Sequence, residues 1–531
     1  MKVRTLLTFL GVGLMGAHLA AAPFAAVSKK YIGHGWDLLG MTPAEVLAHA
    51  DAFDRTGLDG VSLAINATLA DGRKISHTHV MTDPRWPRAE LKDQIPVFQR
   101  LVQHPSLRAS FLSAWLAPQK RLAWTDDAAW ANVATNLGTL AWLAKEGGLC
   151  GLIVDNEDYP KSKQYRLVAG DPSYDETAAY ARRRGAEVFR AVFDEHPHAT
   201  ILAFWLLSQN MRYFSAAEPI AAAKVQGDLW PWFLNGMLDV IPPTARFVDG
   251  NECAYTYEAA SGAFYRSAVD LRTGALGLIA PENRQKYLAQ LRAGFGLYLD
   301  SYINPPDSPW YFGPVDGSRL NHMRDNLAQA TAAADEFIWI YGEKKAWVKW
   351  QGTQCNFNGR ETWDEALPGL NDLMLGVRDP VQLMRRRIAR GRAAGTLVNL
   401  AKIPEAPWQD GRFPAGTYGR EGSAAFLKGV AEGCYVVKAD ARPGDLFGIH
   451  FKYKGVGGSA VVYWQKDGRW QWHLPATEVL IAEGASDAWR TGEAAVWVPA
   501  GANCLALQLA AHQHPGETCW FDAVEIHKLN E

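Results

Sequence analysis

The chain has 531 residues, too many for one ordinary domain, and 48% hydrophobic with 21% charged residues is a globular composition. A formal net charge of −2 provides no field for gathering nucleic acid or an anionic membrane surface, so neither is expected as a partner. The 21 tryptophans stand out, because an indole offers a flat apolar face on which the C–H face of a sugar ring can rest. Core packing is nonetheless the default for most of them.

Lys2 and Arg4 precede an apolar run from Leu6 to Met15, and small residues continue to Ala26. This order reads as an export signal over residues 1–26, with cleavage expected between Ala20 and Ala26. The apolar run is too short for a typical spanning helix. The mature protein is therefore expected in the periplasm or outside the cell, without membrane insertion.

From Tyr31 onward strand-like and helix-like stretches alternate. The predicted strands are Tyr31–Asp37, Gly60–Ile65, Ala109–Leu116, Gly151–Glu157, Thr200–Leu207, Arg246–Tyr255, Phe295–Ile303 and Phe337–Glu343. Between them, apolar spacings of three and four predict helices at Pro43–Arg55, Ala128–Glu146, Glu176–Glu195, Arg284–Ala293 and Arg319–Asp335. Thr42 is the expected N-cap of the first, and a helix over Pro380–Ala394 would close the ring. Eight buried strands alternating with amphipathic helices imply an α/β fold, a (β/α)₈ TIM barrel over residues 27–395. A doubly wound sheet would want a Gly-rich phosphate loop after the first strand, where His34-Gly35-Trp36-Asp37 stands instead. No cofactor is called for.

Beyond Gly395 helical periodicity stops. Short runs at Cys434–Lys438, Leu446–Tyr453, Ser459–Trp464, Ala494–Val498, Cys504–Leu509 and Cys519–Ile526, divided by Gly, Pro and Asp, predict an all-β, jelly-roll-like sandwich over residues 396–531. The six cysteines, Cys150, Cys253, Cys355, Cys434, Cys504 and Cys519, show no C-x-x-C and no metal spacing. A bridge within the last three stays open. His77 and His79 lie in the loop after the second strand without an evident third ligand, so no metal is expected.

Catalysis in such a barrel occurs at the C-terminal ends of the strands. Strand one ends in His34, Trp36 and Asp37, and strand three near Trp115. Strand four ends Asp155-Asn156-Glu157-Asp158. Strand five carries Trp205 and leads to Gln209. Strand six brings Asp249, Glu252 and Tyr255; strand seven Asp300 and Tyr302; strand eight Glu343, with Trp347 beyond. Side chains alternate along a strand, so Asp155 and Glu157 share a face with Ile153. If Ile153 fills the barrel, both acids project into the mouth, where two close carboxylates push one pKa upward. A raised Glu157 can hold a proton near neutrality and deliver it to a leaving glycosidic oxygen.

The stretch Gly151-Leu152-Ile153-Val154-Asp155-Asn156-Glu157 resembles strand four of the chitinase-like family 18 glycosidases, whose Asp-x-Glu supplies the acid. The earlier acids of that pattern are replaced here by Cys150 and Ile153. Asn156-Glu157 also resembles the Asn-Glu that ends strand four in the large clan of retaining barrel glycosidases. That clan's nucleophile is a Glu ending strand seven, where this chain has Asp300; its nearest Glu is Glu343. The runs Pro499–Leu509 and Glu517–Leu529 resemble the last strands of carbohydrate-binding-module sandwiches attached to secreted glycosidases.

Together these readings imply a glycoside hydrolase acting on a carbohydrate substrate. Glu157 is the expected acid, Glu343 or failing it Glu252 the nucleophile or base, and Asp155 a tuning partner. Expected substrate contacts are His34, Trp36, Asp37, Trp115, Trp205, Gln209, Asp249, Tyr255, Asp300, Tyr302 and Trp347. A carboxyl separation of about 5–5.5 Å would imply retention and about 6.5–9.5 Å inversion. The alternatives are a non-catalytic sugar-binding barrel, a metal-dependent deacetylase or other amidase needing a His/Asp cluster, and a sialidase-type exo-enzyme, for which Arg212 is the evident Arg.

Overall fold

The structure, a computed structural model, describes residues 28–159, 161–350, 361–408, 417–481 and 485–529. The expected signal segment and Cys355 lie outside the described residues. Nine parallel strand segments form the first sheet: β1 (Lys30–Gly35), β2 (Gly60–Leu63), β3 (Phe111–Trp115), β4 (Gly151–Asp155), β5 (Thr200–Ala203), β6 (Arg246–Asp249), β7 (Leu291–Ala293), β8 (Phe295–Tyr298) and β9 (Phe337–Gly342). Segments β7 and β8 are one stave interrupted at Gly294. β7 pairs with β6, β8 pairs with β9, and the Gly294 N–H donates to the Asp249 carbonyl at 2.8 Å, so the ring closes as an eight-stave barrel.

The staves stop earlier than the apolar runs implied. Past them the chain turns into short helical pieces, Trp36–Gly40, Ser208–Tyr213, Glu252–Thr256 and Leu299–Tyr302, whose aromatic content resembles strand in sequence. The seventh stave begins at Leu291, inside the stretch predicted as helix, because that helix ends at Gln290. The predicted Pro43–Arg55 helix is also two pieces. α1 (Pro43–Ala48) has the expected cap, with Thr42 Oγ1 accepting from Glu45 N at 3.3 Å and Glu45 Oε2 accepting from Thr42 N at 2.7 Å, and a separate turn follows at Ala50–Phe53.

Around the barrel lie α2 (Asp127–Gly147), α3 (Tyr174–Glu195), α4 (Trp230–Val240) and α5 (Arg319–Ala333). Inside it Ile32, Phe111, Ile153, Leu202, Val248 and Trp339 form a separate core. Because each stave is buried on both faces, the two cores divide its residues by parity. Val248 points inward and Phe247 outward to the helices.

The C-terminal region is a sandwich of two five-stranded antiparallel sheets. Its strands are β10 (Tyr418–Glu421), β11 (Ala424–Lys428), β12 (Gly433–Asp440), β13 (Leu446–Gly455), β14 (Gly458–Lys466), β15 (Arg469–Trp470), β16 (Thr477–Ile481), β17 (Ser486–Trp497), β18 (Cys504–Ala511) and β19 (Thr518–Lys528). One sheet runs β10-β11-β19-β13-β17; the other runs β12-β18-β14-β15, with β16 also on β14. Leu427, Tyr435, Phe451, Val462, Leu507 and Phe521 fill the space between them. Helix α6 (Pro380–Ala394) does not serve the ring alone. Its Leu383, Met384 and Ile388 pack with Leu446, Ala495 and Leu529 of the sandwich region, and Arg385 pairs with Glu493. Cys150, Cys253, Cys434, Cys504 and Cys519 are free thiols. Among the described residues no helix is long and apolar enough to cross a membrane.

Candidate active site

The mouth is built on the inward parity of the staves. Ile153 is fully buried in the inner core, Asp155 ends β4 two residues later, and the Glu157 N–H donates back to Asp155 Oδ1 at 2.8 Å. The Trp115 indole N–H donates to the Glu157 carbonyl at 3.2 Å and braces the loop from β3. After β6 the chain passes through Asn251 at φ 40°, a left-handed conformation that Asn tolerates. There the Asn251 N–H donates to Asp249 Oδ1 at 3.1 Å, and its side-chain amide donates to Ser267 Oγ at 2.6 Å. The Glu252 N–H donates to the Phe204 carbonyl at 3.1 Å, which ties the chain after β6 to the end of β5.

Asp155, Glu157 and Glu252 consequently line one hollow. Its floor is Phe204 stacked on Trp339 (centroids 4.1 Å, 11°), with His34 edge-on to Phe204 at 4.8 Å. One wall is Tyr255, stacked on Tyr298 at 5.2 Å and on Tyr341 at 6.0 Å. Trp36 stands at the rim, 45% exposed, and Trp115 and Tyr159 close another side.

Burial sets the electrostatics. It pushes the Glu157 carboxyl up to about 7. Burial and then the Glu157 charge push Asp155 to about 8, against the Glu157 N–H bond that lowers it. Burial followed by repulsion from Glu157 and Asp155 pushes Glu252 to about 9. Acids that ionise at one another's expense titrate as a set, and at neutral pH the set retains protons. His34 is held down to about 3, first by burial and then by His77, so its ring is neutral; a 2.7 Å hydrogen bond joins its Nδ1 to Ser62 Oγ.

Glu343 stands across from this cluster and shares an adjoining hollow with Glu157, Glu252, Trp205 and Trp310. Its Oε1 accepts from the Tyr341 hydroxyl at 2.7 Å and its Oε2 from the Tyr298 hydroxyl at 3.1 Å. Both phenols are pushed well above the ordinary tyrosine range, by burial first and then by nearby carboxyls including Glu343, so they remain donors. Asp300 is not in the hollow. Its Oδ2 accepts from the Glu343 N–H at 2.8 Å and fixes the start of that loop.

Several predicted contacts stand behind the wall. Asp249 follows the outward parity from Val248, is fully buried, and accepts from the Leu207, Ser208 and Asn251 N–H groups and the Ser208 hydroxyl. Asp37 is buried and accepts from the Trp347 N–H at 2.8 Å; Trp347 itself is 4% exposed in the outer core. Tyr302 packs toward α5, its hydroxyl accepting from Asn326 at 2.8 Å. Gln209 and Trp205 lie on a neighbouring hollow with Asn156 and Arg212. His77, in the loop after the second stave, is buried at the side of the main hollow.

Sequence reasoning missed Tyr298, Tyr341 and the floor pair Phe204–Trp339, and weighed His77 only as a metal ligand. The signal for the tyrosines was available: each lies two residues before an acid already singled out, on the same strand parity. Among the described residues the one group of three candidate metal ligands is Asp51, Asp54 and His104, near the opposite end of the barrel.

No family model and no curated protein matches the chain. Among solved structures, the enzymatically active domain of tailspike protein 4 from Bacteriophage CBA120 aligns at a TM-score of 0.19 and 11% identity, over 24% of this chain and 19% of that one. A CBM4 structure aligns at 0.17 and 14% identity, over 25% of this chain and 79% of its own. The family 29 carbohydrate binding module CBM29-2, in a mutant complexed with cellulohexaose, aligns at 0.18 and 16% identity, over 25% of this chain and 92% of its own. The chain thus spans about a fifth of the tailspike domain. These are partial likenesses, each to about a quarter of the chain.

Proposed function

We propose that the barrel is a glycoside hydrolase working by carboxyl acid–base catalysis. The observation that carries this reading is the meeting of Asp155, Glu157 and Glu252 in one aromatic-walled hollow, with Glu343 held opposite by two phenols. Glu157, at about 7, both keeps a proton near neutrality and releases it readily, as a general acid must. It protonates the departing glycosidic oxygen. Glu343, accepting on both oxygens, attacks the anomeric carbon or activates a water for that attack. Asp155 and Glu252 hold their protons more tightly and keep the charge of the cluster low. Trp36, exposed at the rim, offers a ring face to the sugar, and Tyr255 walls the opposite side. Buried atoms without partners, among them Glu252 Oε2, the Tyr255 hydroxyl and the Asn156 amide, offer hydrogen bonds to its hydroxyls.

The sandwich in this reading is a sugar-holding accessory. Trp472, 64% exposed, stacks on Trp470 at 5.2 Å with Tyr463 edge-on beside it. The test is a panel of aryl glycosides and polysaccharides given to native protein and to Glu157→Gln. Native protein should turn over at least one member, and the variant should lose nearly all of that rate while its circular dichroism is unchanged. Chelator should leave the native rate as it was. Equal turnover by both proteins removes Glu157 as the acid. Sugar binding without turnover in both makes the barrel a binding protein.

A further inference from the structure

Resting on the hydrolase reading, we infer that the cleft continues from Glu157 into a subsite for an anionic substituent, a carboxylate or sulfate ester, on the sugar next to the cleaved bond. A second, open hollow shares Glu157 and Trp205 with the sites above and is lined by Lys161, Lys163, Arg166 and Arg212. Its other acids are already engaged. Asp158 accepts from Ser162 N and Oγ and from Lys163 N. Asp228, 5% exposed, accepts from Asn210 at 2.9 Å and from Tyr213, Trp230 N and Arg212 at 3.3 Å each. Lys161, Lys163, Arg166 and Arg212 outnumber the three carboxyls that line the hollow, Glu157, Asp158 and Asp228, so it has net positive character.

The lysines are left unused by the protein. Among the described residues neither ammonium makes a hydrogen bond or ion pair, although both backbones are fixed in place. Asp158 ties down Ser162 and Lys163, Arg121 donates to the Lys163 carbonyl, and Arg166 and Leu167 pair with the segment Gly227–Asp228 after β5. Arg212 lies over the Tyr213 ring at 4.6 Å. An independent observation points to a ligand here: Asn156, 5% exposed on the wall of this hollow, has both amide atoms buried and without a partner. Exposed cations on a fixed frame beside an unsatisfied amide suit a planar or tetrahedral oxyanion carried on a polyhydroxylated ring, and Trp205 supplies a ring face between this hollow and the acids.

The test is a binding measurement, so it stands apart from turnover. Full-length Glu157→Gln protein is titrated by affinity electrophoresis with two matched pairs: dextran sulfate against dextran, and polygalacturonate against its methyl ester. Preference within the first pair identifies sulfate, and within the second carboxylate. The lysines sit at φ 58° and 55°, so Asn, which tolerates that conformation, replaces them without adding strain. Lys161→Asn/Lys163→Asn should lower the anionic-to-neutral affinity ratio roughly tenfold, in line with two exposed charge pairs, and the native preference should shrink as salt rises. A control, Lys92→Asn/Lys402→Asn, removes two exposed charges elsewhere and should leave the ratio intact. Equal affinity within both pairs, or an equal fall in the control, overturns the subsite whatever the aryl-glycoside panel shows. Anion preference without any turnover keeps the subsite and discards the hydrolase reading.

Discussion

Glu252→Gln should stabilise the protein, and increasingly so as the pH rises. In the folded chain burial first, and then Glu157 and Asp155, push this carboxyl from 4.5 to about 9. In the unfolded chain it titrates at the ordinary value. Between those limits the folded state retains a proton that the unfolded state has released, so unfolding becomes easier by about 1.4 kcal/mol per pH unit. The raised carboxyl therefore contributes its full stability below 4.5 and loses it as pH climbs through about 9. Glutamine matches the protonated acid in shape and cannot ionise, so the variant lacks this slope. Its advantage over native protein should be about 1 kcal/mol at pH 5 and about 3 kcal/mol at pH 7. Urea unfolding curves of both proteins at the two pH values, followed by far-ultraviolet circular dichroism and tryptophan emission, measure it. A variant destabilised equally at both pH values would refute the reasoning, because Glu252 would then be an ionised, well-partnered carboxylate.

Asp249→Ala strips the buried acceptor from four donors and should cost about 3 kcal/mol or more in the same urea assay, with a smaller loss contradicting its structural role. Tyr298→Phe and Tyr341→Phe each remove one phenol from Glu343 and should lower kcat by about one to two orders of magnitude with KM little changed; a pure KM effect would make them substrate contacts instead. Gly342→Ala places a methyl 2.1 Å from the Trp363 ring, and the resulting shift of the Glu343 loop should cost about 2–3 kcal/mol of stability as well as activity. Trp472→Ala should weaken retention on insoluble polysaccharide without moving the melting temperature; unchanged retention would remove the exposed Trp470–Trp472 pair as a sugar platform.

The staves were legible because strands buried on both faces read as unbroken apolar runs, and their count and order follow from alternation with helices. The same double burial hid their parity. Nothing in Arg246–Asp249 distinguishes Val248 inward from Asp249 inward, so Asp249 was read as facing the mouth when it is spent on the Leu207–Ser208 turn and Asn251. Asp155 and Glu157 escaped that ambiguity only because Ile153 was supposed to lie inside, and it does. Trp347 and Asp37 were unreadable for another reason: their partnership joins the two ends of the ring, across 310 positions of sequence. In the sandwich, β17 was seen only from Ala494 because its first half is a largely exposed edge, Ser486–Arg490, without apolar alternation.

The most direct measurement is a crystal structure of Glu157→Gln soaked with an oligosaccharide from whichever polymer the panel selects. The account predicts a sugar lying between Tyr255 and Trp36, its bridging oxygen within about 3 Å of the residue 157 amide and its anomeric carbon facing Glu343. A sugar found only on the sandwich, or one whose bridging oxygen points away from residues 157 and 343, would contradict it.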